Sequence, residues 1–200
     1  MNKIILASKS KARQQILKNA GIDCDIQPSN IDESIIKKQI IDSDFEDKAI
    51  NIAGELAIKK ALYVSSRNED SIVIAGDQTL SLNGVLYFKP KTKQDVINHL
   101  TDFSGKVHLL HSGVAIAKNN EIIFNGVYDA SMSVKKLSDE YINWYADLCG
   151  DDVCSSVGGY HYEGLGAQLF DKVDGDYFTI LGLPMMPIVS FLQRQGILKC

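Results

Sequence analysis

Residues Ser71–Thr79 read SIVIAGDQT, and they are the clearest sign of an α/β fold in this chain. Ser71–Ala75 is an almost continuous apolar run of strand length, as expected for a strand buried on both faces. Gly76 and Asp77 follow it directly. Because ligands bind at the carboxyl ends of strands in open α/β sheets, the Asp77 carboxylate is a candidate to hold a metal ion or to take a proton from water. A turn aspartate or a helix cap would leave the same local pattern, so both interpretations stay open.

Extended and helical patterns alternate on both sides of that strand. Further strands are predicted at Lys3–Ala7, Ile22–Ile26, Thr79–Leu82, Val85–Phe88, Val107–Ala117, Glu121–Val134, Ala167–Phe170 and Tyr177–Ile180. Helices are predicted to begin at Ser10, at Ser43 with Glu46 as a capping box, at Thr92, at Ser138 and at Pro184. Residues 32–44 are predicted to form a loop or a short helix. This alternation predicts an α/β fold with a mixed sheet, built as a single domain over residues 1–200.

The composition is that of a globular protein of ordinary size. The chain has 200 residues, is 45% hydrophobic and 23% charged, and carries a formal net charge of −4. It has no apolar run of the ~18–20 residues that cross a bilayer, and its first apolar stretch, Ile4–Ala7, is too short for a signal peptide. The sequence therefore predicts a cytoplasmic protein without a membrane partner. Its acidity argues against binding a nucleic-acid polymer.

The cysteines and histidines do not have the spacing of a metal site. Cys149 and Cys154 are separated by four residues, unlike the two of a C-x₂-C site, so free thiols are predicted at Cys24, Cys149, Cys154 and Cys200. His108 and His111 are three apart in a predicted strand and therefore point to opposite faces. His108 is predicted to be a structural histidine.

The N-terminal segment LASKSKAR, Leu6–Arg13, joins a predicted strand to a helix. The first twenty residues contain five cations and neither Asp nor Glu. A helix N-terminus presents N–H groups and partial positive charge, and such ends bind phosphate. Ser8 and Ser10 add hydroxyl donors, and Arg13 adds a planar fork one turn later. The segment is compatible with a phosphate site and also with an ordinary capped helix whose lysines are solvated.

Three further charged residues are candidates for the same ligand. Lys60 lies at the boundary of the apolar face of the long predicted helix, and Lys89 stands at a strand end before Pro90. Glu33 follows Asp32 after the second strand. Each of them is equally compatible with a solvated surface position when its neighbours in the sequence are considered alone.

Taken in order, these segments show that the chain resembles the Maf/HAM1-like family of nucleoside triphosphate pyrophosphatases over nearly its whole length. The matching motifs are L-A-S-x-S-x-x-R at Leu6–Arg13, S-x-I-D-E at Ser29–Glu33, L-A-x-x-K-A at Leu56–Ala61, G-D-Q-T at Gly76–Thr79, K-P at Lys89-Pro90, S-G-K-x-H at Ser104–His108, S-G-V at Ser112–Val114 and G-D-Y-x-x-x-x-G-L-P at Gly175–Pro184.

The resemblance implies an elongated mixed α/β sheet with flanking helices and two lobes around a central cleft. It also implies a reaction, in which a nucleoside triphosphate and water give the monophosphate and pyrophosphate with a divalent cation, Mg²⁺ or Mn²⁺. Homodimerisation is a family-level expectation. By resemblance, Asp77 is the catalytic carboxylate and a metal ligand, and Glu33 is a second metal ligand. The implied substrate-binding residues are Ser8, Ser10, Arg13, Lys60, Gln78, Lys89 and Glu163.

Several positions distinguish this chain from the best-known members of that family. Ala12 replaces an arginine of S-P-R-R, and Gly76-Asp77-Gln78 stands where those members have A-D-T. In the late motif, Ser156 replaces a lysine and Glu163 replaces a glutamine. The combination resembles a separate branch, for which non-standard or modified triphosphates are candidate substrates. A glutamate accepts hydrogen bonds from donor groups of a base, which favours guanine or a modified purine. The alternative functions are a non-catalytic nucleotide-binding regulator of septum formation and a phosphohydrolase of another type.

Overall fold

The computed structural model describes residues 3–199, and all elements named below lie within that range. The strands are Ile4–Leu6 (β1), Asp25–Ile26 (β2), Ile72–Leu82 (β3), Val85–Tyr87 (β4), Val107–Lys118 (β5), Glu121–Val134 (β6) and Phe170–Asp174 (β7). The helices are Lys11–Asn19 (α1), Glu33–Ile41 (α2), Lys48–Ser65 (α3), Lys93–Phe103 (α4), Asp139–Cys149 (α5), Tyr177–Ile180 (α6) and Met185–Arg194 (α7), with 3₁₀ turns at Gly150–Ser155 and Leu165–Leu169.

The strands form a mixed sheet in the order β2-β1-β3-β5-β6-β7, with β4 paired to β3. Strand β1 pairs in parallel with β2 and β3, whereas β4 and β7 pair antiparallel with β3 and β6. Asn83-Gly84 and Asn119-Asn120 adopt the positive φ values that two-residue hairpin turns require, and they connect β3 to β4 and β5 to β6. The predicted α/β class with a mixed sheet and flanking helices is confirmed.

The described chain divides into two compact units. Unit 1 contains the residues up to Gln78, His111–Tyr128 and the residues from Asp176 onward, and unit 2 contains Thr79–Leu110 and Asp129–Gly175. The boundaries between the units fall within strands β3, β5 and β6, so each of these strands contributes residues to both units.

The sheet of unit 1 is buried on both faces, and the alternation of side chains along its strands sorts the core into two clusters. One cluster contains the large residues of β1, β3 and β5 with α1 and α7: Leu6, Leu17, Ile72, Ile74, Val114, Ile116, Ile188 and Leu192 are among its members. The other contains the smaller residues of the same strands with α3: Ile5, Ala7, Ala57, Ala61, Val73, Ala75, Ala115 and Ala117. Small side chains on this second face allow α3 to lie close to the sheet.

Gly113 shows how closely α3 approaches strand β5. A Cβ atom at this position would fall well inside contact distance of the Ala53 carbonyl oxygen in α3. Since backbone cannot move aside as a flexible side chain can, only glycine allows this separation. The contact fixes α3 against the sheet two turns before Lys60.

Unit 2 packs α4 and α5 with an aromatic cluster on its part of the sheet. His108 is fully buried there, and its Nε2 lies 2.7 Å from the hydroxyl oxygen of Tyr160. Phe103 and Phe170 pack against the His108 ring at centroid distances of 4.8 and 6.0 Å. Burial lowers the pKa of His108 to about 3, so the imidazole is neutral at physiological pH. These contacts agree with the predicted structural role of His108.

Two predicted strands in the last third of the chain are wrong. Tyr177–Ile180 forms helix α6, because Asp176 accepts hydrogen bonds from the Thr179 backbone N–H at 2.8 Å and from its hydroxyl at 3.1 Å, and so caps a helical turn. Ala167–Phe170 is mostly a 3₁₀ turn, and the strand begins only at Phe170, where β7 pairs with Val134.

The long helix α3 begins at Lys48 and not at the predicted Ser43. The Ser43 hydroxyl donates to the Ile40 carbonyl oxygen at 2.6 Å and accepts from the Phe45 backbone N–H at 3.4 Å. It therefore acts at the end of α2, the short helix that residues 32–44 contain.

The predicted break between Ser71–Ala75 and Thr79–Leu82 is also wrong, because β3 continues through both segments. Free thiols are confirmed at Cys24, Cys149 and Cys154. The prediction for Cys200 lies outside the described residues. Across residues 3–199, none of the helices has both the length and the apolar character needed to cross a membrane.

Candidate active site

Asp77 lies inside strand β3, at the point where the strand changes partners. Ile72–Ile74 pair in parallel with β1, and Leu80–Leu82 pair antiparallel with β4. Because side chains alternate along a strand, Asp77 points to the same face as Val73 and Ala75, which is the face that α3 covers. The next residue, Gln78, points to the opposite face with Ile72 and Ile74.

Lys60 of α3 meets Asp77 on that face. Its Nζ atom lies 2.6 Å from Oδ1 of Asp77 and 2.7 Å from Oε1 of Glu33. The Lys60 and Asp77 side chains are only 10% and 12% exposed, whereas Glu33 is 38% exposed. The sequence separates these three residues widely, yet one ammonium group holds both carboxylates.

Glu33 is the first residue of α2, whose N-terminus is capped by the Asp32 carboxylate through a 2.9 Å hydrogen bond from Ser34 N–H. A second cation, Lys37, lies 3.0 Å from Oε2 of Glu33 one helical turn later. Burial raises the pKa of Glu33, but the hydrogen bonds and charges of Lys60 and then Lys37 outweigh it and hold this pKa at about 2. Glu33 is therefore ionised at neutral pH.

Arg13 lies against β3 from the other helix layer. Its Nε donates to the Gly182 carbonyl oxygen at 2.7 Å, and Nη1 donates to the Ser8 hydroxyl at 3.3 Å. A Cβ atom at Gly76 would lie 3.2 Å from Arg13 Nε, and one at Gly182 would lie 3.2 Å from Nη2. The guanidinium group is therefore packed between two glycines, one of which precedes Asp77. Burial lowers the pKa of Arg13, while the charges of Asp77 and Glu33 act to raise it.

The two serines of the N-terminal segment organise the start of α1. Ser10 is the N-cap, and its side chain accepts a hydrogen bond from Arg13 N–H at 3.4 Å. Ser8 is buried, and its hydroxyl accepts from Ser10 N–H at 3.2 Å as well as from Arg13. The structure therefore shows the capped helix, and the phosphate site at its N-terminus stays a prediction.

Gln78 uses its amide nitrogen to connect the sheet with the segment after α6. Nε2 donates to the Ser112 hydroxyl at 2.9 Å, to the Ile180 carbonyl oxygen at 3.0 Å and to the Thr179 carbonyl oxygen at 3.1 Å. A Cβ atom at Gly182 would lie 3.5 Å from Oε1 of Gln78. The side chain predicted to bind substrate thus has its nitrogen engaged within the protein.

The predicted site residues fall into two groups. Unit 1 contains Ser8, Ser10, Arg13, Glu33, Lys60, Asp77 and Gln78. Ion pairs join Glu33, Lys60 and Asp77, and a separate set of hydrogen bonds joins Ser8, Ser10 and Arg13. Lys89 and Glu163 belong to unit 2, and both are exposed. Lys89 lies between β4 and α4, and Glu163 lies in the turns between the two 3₁₀ segments.

Four residues without a predicted role each contact a predicted site residue: Lys37, Ser112, Thr179 and Gly182. Two of these residues lie in motifs that match the family. Ser112 begins S-G-V and Gly182 begins G-L-P, so these motifs could have indicated both residues. Lys37 follows Glu33 by four residues on a helix, which is the spacing of an ion pair.

A second group of polar side chains occurs in unit 2 but does not form a nucleophilic triad. The Ser155 hydroxyl lies 3.3 Å from Nε2 of His161, and the Asp152 carbonyl and carboxylate oxygens lie 3.2 and 3.5 Å from the same nitrogen. A triad needs its serine and its carboxylate on different ring nitrogens. This group therefore lacks the geometry of a serine nucleophile with its base.

Within residues 3–199, no cluster of three or more His, Cys, Asp and Glu side chains is arranged to hold a metal ion. The carboxylates of Glu33 and Asp77 nevertheless converge on a single cation, Lys60 Nζ. Magnesium sites commonly take one or two carboxylates from the protein and the remaining oxygens from water and substrate phosphates. The donor set of this pair fits a divalent cation of that kind.

Comparison with known proteins places these features in a family. The family model described as "Maf-like protein" matches residues 3–195. A nucleoside triphosphate pyrophosphatase of Nitrobacter winogradskyi is 42% identical over 200 residues, covering 98% of this chain and 95% of its own. A 7-methyl-GTP pyrophosphatase of Brucella suis is 40% identical over 198 residues, covering 99% and 97%. A solved HAM1 protein from Coxiella burnetii is 18% identical, with a TM-score of 0.39 over 68% of this chain and 75% of its own.

Proposed function

The chain belongs to the Maf-like protein family, and on that premise we propose that it is a nucleoside triphosphate pyrophosphatase. The reaction takes a nucleoside triphosphate and water to the monophosphate and pyrophosphate, by cleavage of the anhydride between the α- and β-phosphates. The observation that supports this best is the convergence of Glu33 and Asp77 on Lys60, in a unit that also holds Arg13 at the N-terminus of α1.

Polyphosphate binding needs concentrated positive charge, because a triphosphate carries about four negative charges near neutral pH. We assign this role in unit 1 to Arg13, to the hydroxyl groups of Ser8 and Ser10, and to Lys60. The backbone N–H groups at the start of α1 add donors and partial positive charge. Lys89 of unit 2 stays a predicted phosphate ligand.

Asp77 is the proposed catalytic residue. A carboxylate beside the reacting phosphate accepts a proton as water attacks, and its partner Lys60 orients it through a hydrogen bond to Oδ1. Glu33 and Asp77 would hold the divalent cation, Mg²⁺ or Mn²⁺. Such a cation neutralises phosphoryl oxygens and stabilises the charge that develops on the leaving pyrophosphate.

Roles in base recognition stay predictions for Glu163 and for Gln78, each of which has a side-chain oxygen acceptor. Both accept hydrogen bonds and therefore suit the donor edge of guanine or of a modified purine. The Brucella suis relative is named a 7-methyl-GTP pyrophosphatase, which supports a modified guanine as a candidate substrate.

The decisive experiment is a panel of common and modified nucleoside triphosphates with Mg²⁺ and Mn²⁺, with products separated by chromatography. Monophosphate and intact pyrophosphate are the expected products. Release of single phosphates would indicate another phosphohydrolase, and tight nucleotide binding without turnover would indicate the regulator of septum formation. The names of the relatives do not favour that regulator. A single domain over residues 1–200, a cytoplasmic location and a homodimer stay predictions.

A further inference from the structure

Ser112 is a fully buried polar residue of β5 that the proposed reaction does not use. Its hydroxyl donates to the Thr179 carbonyl oxygen at 2.7 Å and accepts from Nε2 of Gln78 at 2.9 Å. Both the donor and an acceptor site of the hydroxyl are therefore occupied, in a position where an unpaired polar group would be costly.

The Thr179 carbonyl oxygen belongs to the segment that supports Arg13. The same oxygen accepts a 3.0 Å hydrogen bond from Gly182 N–H, and Leu183 N–H donates to the Phe178 carbonyl oxygen at 3.0 Å. These bonds turn the chain so that the Gly182 carbonyl oxygen faces Nε of Arg13 at 2.7 Å. Gly182 has a φ of +89°, which disfavours any other residue at this turn.

A continuous set of hydrogen bonds thus runs from the sheet to the guanidinium group. Ser112 and Gln78 hold residues 179–180, these residues hold the turn, and the turn holds Arg13. The hydrogen bond from Nη1 of Arg13 to Ser8 Oγ is longer, at 3.3 Å, than the 2.7 Å bond from Nε to the Gly182 carbonyl oxygen. We infer that Ser112 is a positioning residue for the reaction: through the 179–182 turn it orients Arg13 toward the polyphosphate.

This inference rests on the proposed function for its kinetic consequences, but not for its structural ones. Misplacement of a substrate-binding group by about 1 Å can reduce a rate about 10²-fold. The turn keeps its bonds to Gln78 when Ser112 is changed, so a smaller loss, about 10-fold in kcat/KM, is the expected effect.

The matched test compares Ser112→Thr with Ser112→Val, which have nearly the same shape and differ in the hydroxyl group. Ser112→Thr should keep most of the activity, and Ser112→Val should lose about 10-fold relative to it. Ser138→Ala, which removes the N-cap of α5, controls for stability and should leave kcat/KM unchanged. Equal activity of the Thr and Val variants would overturn the inference.

A double-mutant cycle separates positioning of Arg13 from a general structural role. In an Arg13→Met background, Ser112→Ala should have no further effect on kcat/KM. The same fold loss in both backgrounds would mean that Ser112 does not act through Arg13, and the inference would fail.

The Nε–H signal of Arg13 in a ¹⁵N NMR spectrum gives a readout that needs no turnover. The signal is assigned by its absence from the spectrum of the Arg13→Met variant. It should shift or broaden in the spectrum of Ser112→Val and keep its position in that of Ser112→Thr. An unchanged signal in Ser112→Val overturns the inference even if the protein is active. A wild-type protein that hydrolyses none of the triphosphates contradicts the proposed function, while the NMR result still decides the role of Ser112.

Discussion

Lys60 donates a 2.6 Å hydrogen bond to Asp77 in a setting where both side chains are nearly buried. The same ammonium group reaches Glu33 at 2.7 Å. Lys60 is the shared partner of both carboxylates, so removing it leaves two neighbouring negative charges without the cation that joins them. This arrangement determines the expected behaviour of several variants.

Replacing Asp77 with Asn should abolish most of the activity while leaving the fold intact. The amide is of the same size but accepts a proton poorly, so the loss of turnover should be at least about 10²-fold. Pyrophosphate release and circular dichroism would measure the two effects. Asp102→Asn, which removes an exposed carboxylate bonded to Tyr87, is the matched control and should keep its activity. Near wild-type turnover of Asp77→Asn would reject Asp77 as the catalytic residue.

Replacing Lys60 with Met should destabilise the protein in the absence of metal. It should also increase the rise in Tm that Mg²⁺ produces. Loss of one partner from a buried ionic group costs about 3–5 kcal/mol, and the lower end applies here because water screens the partly exposed Glu33. Thermal unfolding with and without Mg²⁺ would show a larger Mg²⁺-induced rise in Tm for the variant than for wild type, since the ion can replace the missing cation.

The neighbouring lysine provides the control for that experiment. Lys59→Met changes an exposed residue on the same helix, and its Tm should respond to Mg²⁺ as wild type does. If Mg²⁺ shifts the Tm of Lys60→Met and Lys59→Met equally, Glu33 and Asp77 do not form a divalent-cation site.

Glu33 should make the stability of the protein depend on pH in a defined acidic range. Its pKa of about 2 lies below the ordinary value of 4.5, so the folded state favours the ionised form. The stabilisation is complete above about pH 4.5 and is lost as the pH falls toward about 2. The difference in free energy of unfolding between wild type and Glu33→Gln should therefore shrink over this range.

Urea unfolding at a series of pH values would measure that difference. Glu121→Gln, at the exposed start of β6, serves as the comparison and should show no such trend. A constant difference between wild type and Glu33→Gln down to about pH 2 would contradict the ion pairs of Glu33 with Lys60 and Lys37.

Replacing Gly113 with Ala should lower both stability and activity. The new methyl group would collide with the backbone of α3 at Ala53, and overpacking of this kind costs about 1–3 kcal/mol or more. Because Lys60 lies on the same helix, its distance to Asp77 should increase, and kcat/KM should fall. Gly164→Ala, where the nearest atom would be 3.8 Å away, should be nearly neutral in urea unfolding. Equal stability of the two variants would show that α3 adjusts freely.

Replacing Glu163 with Gln should change the order of preferred bases more than the overall rate. The amide nitrogen donates where the carboxylate only accepts, so bases that offer a carbonyl group should gain relative to those that offer donors. A ranking of kcat/KM over the triphosphate panel would detect this change. An unchanged ranking would remove Glu163 from base recognition.

Much of the fold followed from patterns that are local in the sequence. Apolar runs identified the buried strands, and Ser10, Thr92 and Ser138 were recognised as helix caps that the structure shows with their side-chain hydrogen bonds. The failures occurred where a local signal served a different element. Ser43 ends α2 instead of starting α3, and Asp176 turns an apolar segment into helix α6.

The sequence by itself determined which chemical groups are present and the family to which the chain belongs, because motif order and residue type are properties of the chain. Only the continuity of β3, which the sequence did not predict, places Asp77 and Gln78 on opposite sides of the sheet. Only the tertiary structure decided that Lys60 joins Asp77 to Glu33, and that Gln78 and Ser112 support the turn that holds Arg13. The physical reason is distance along the chain: these partners meet only after helices and strands pack, and packing depends on close contacts such as that of Gly113 with Ala53.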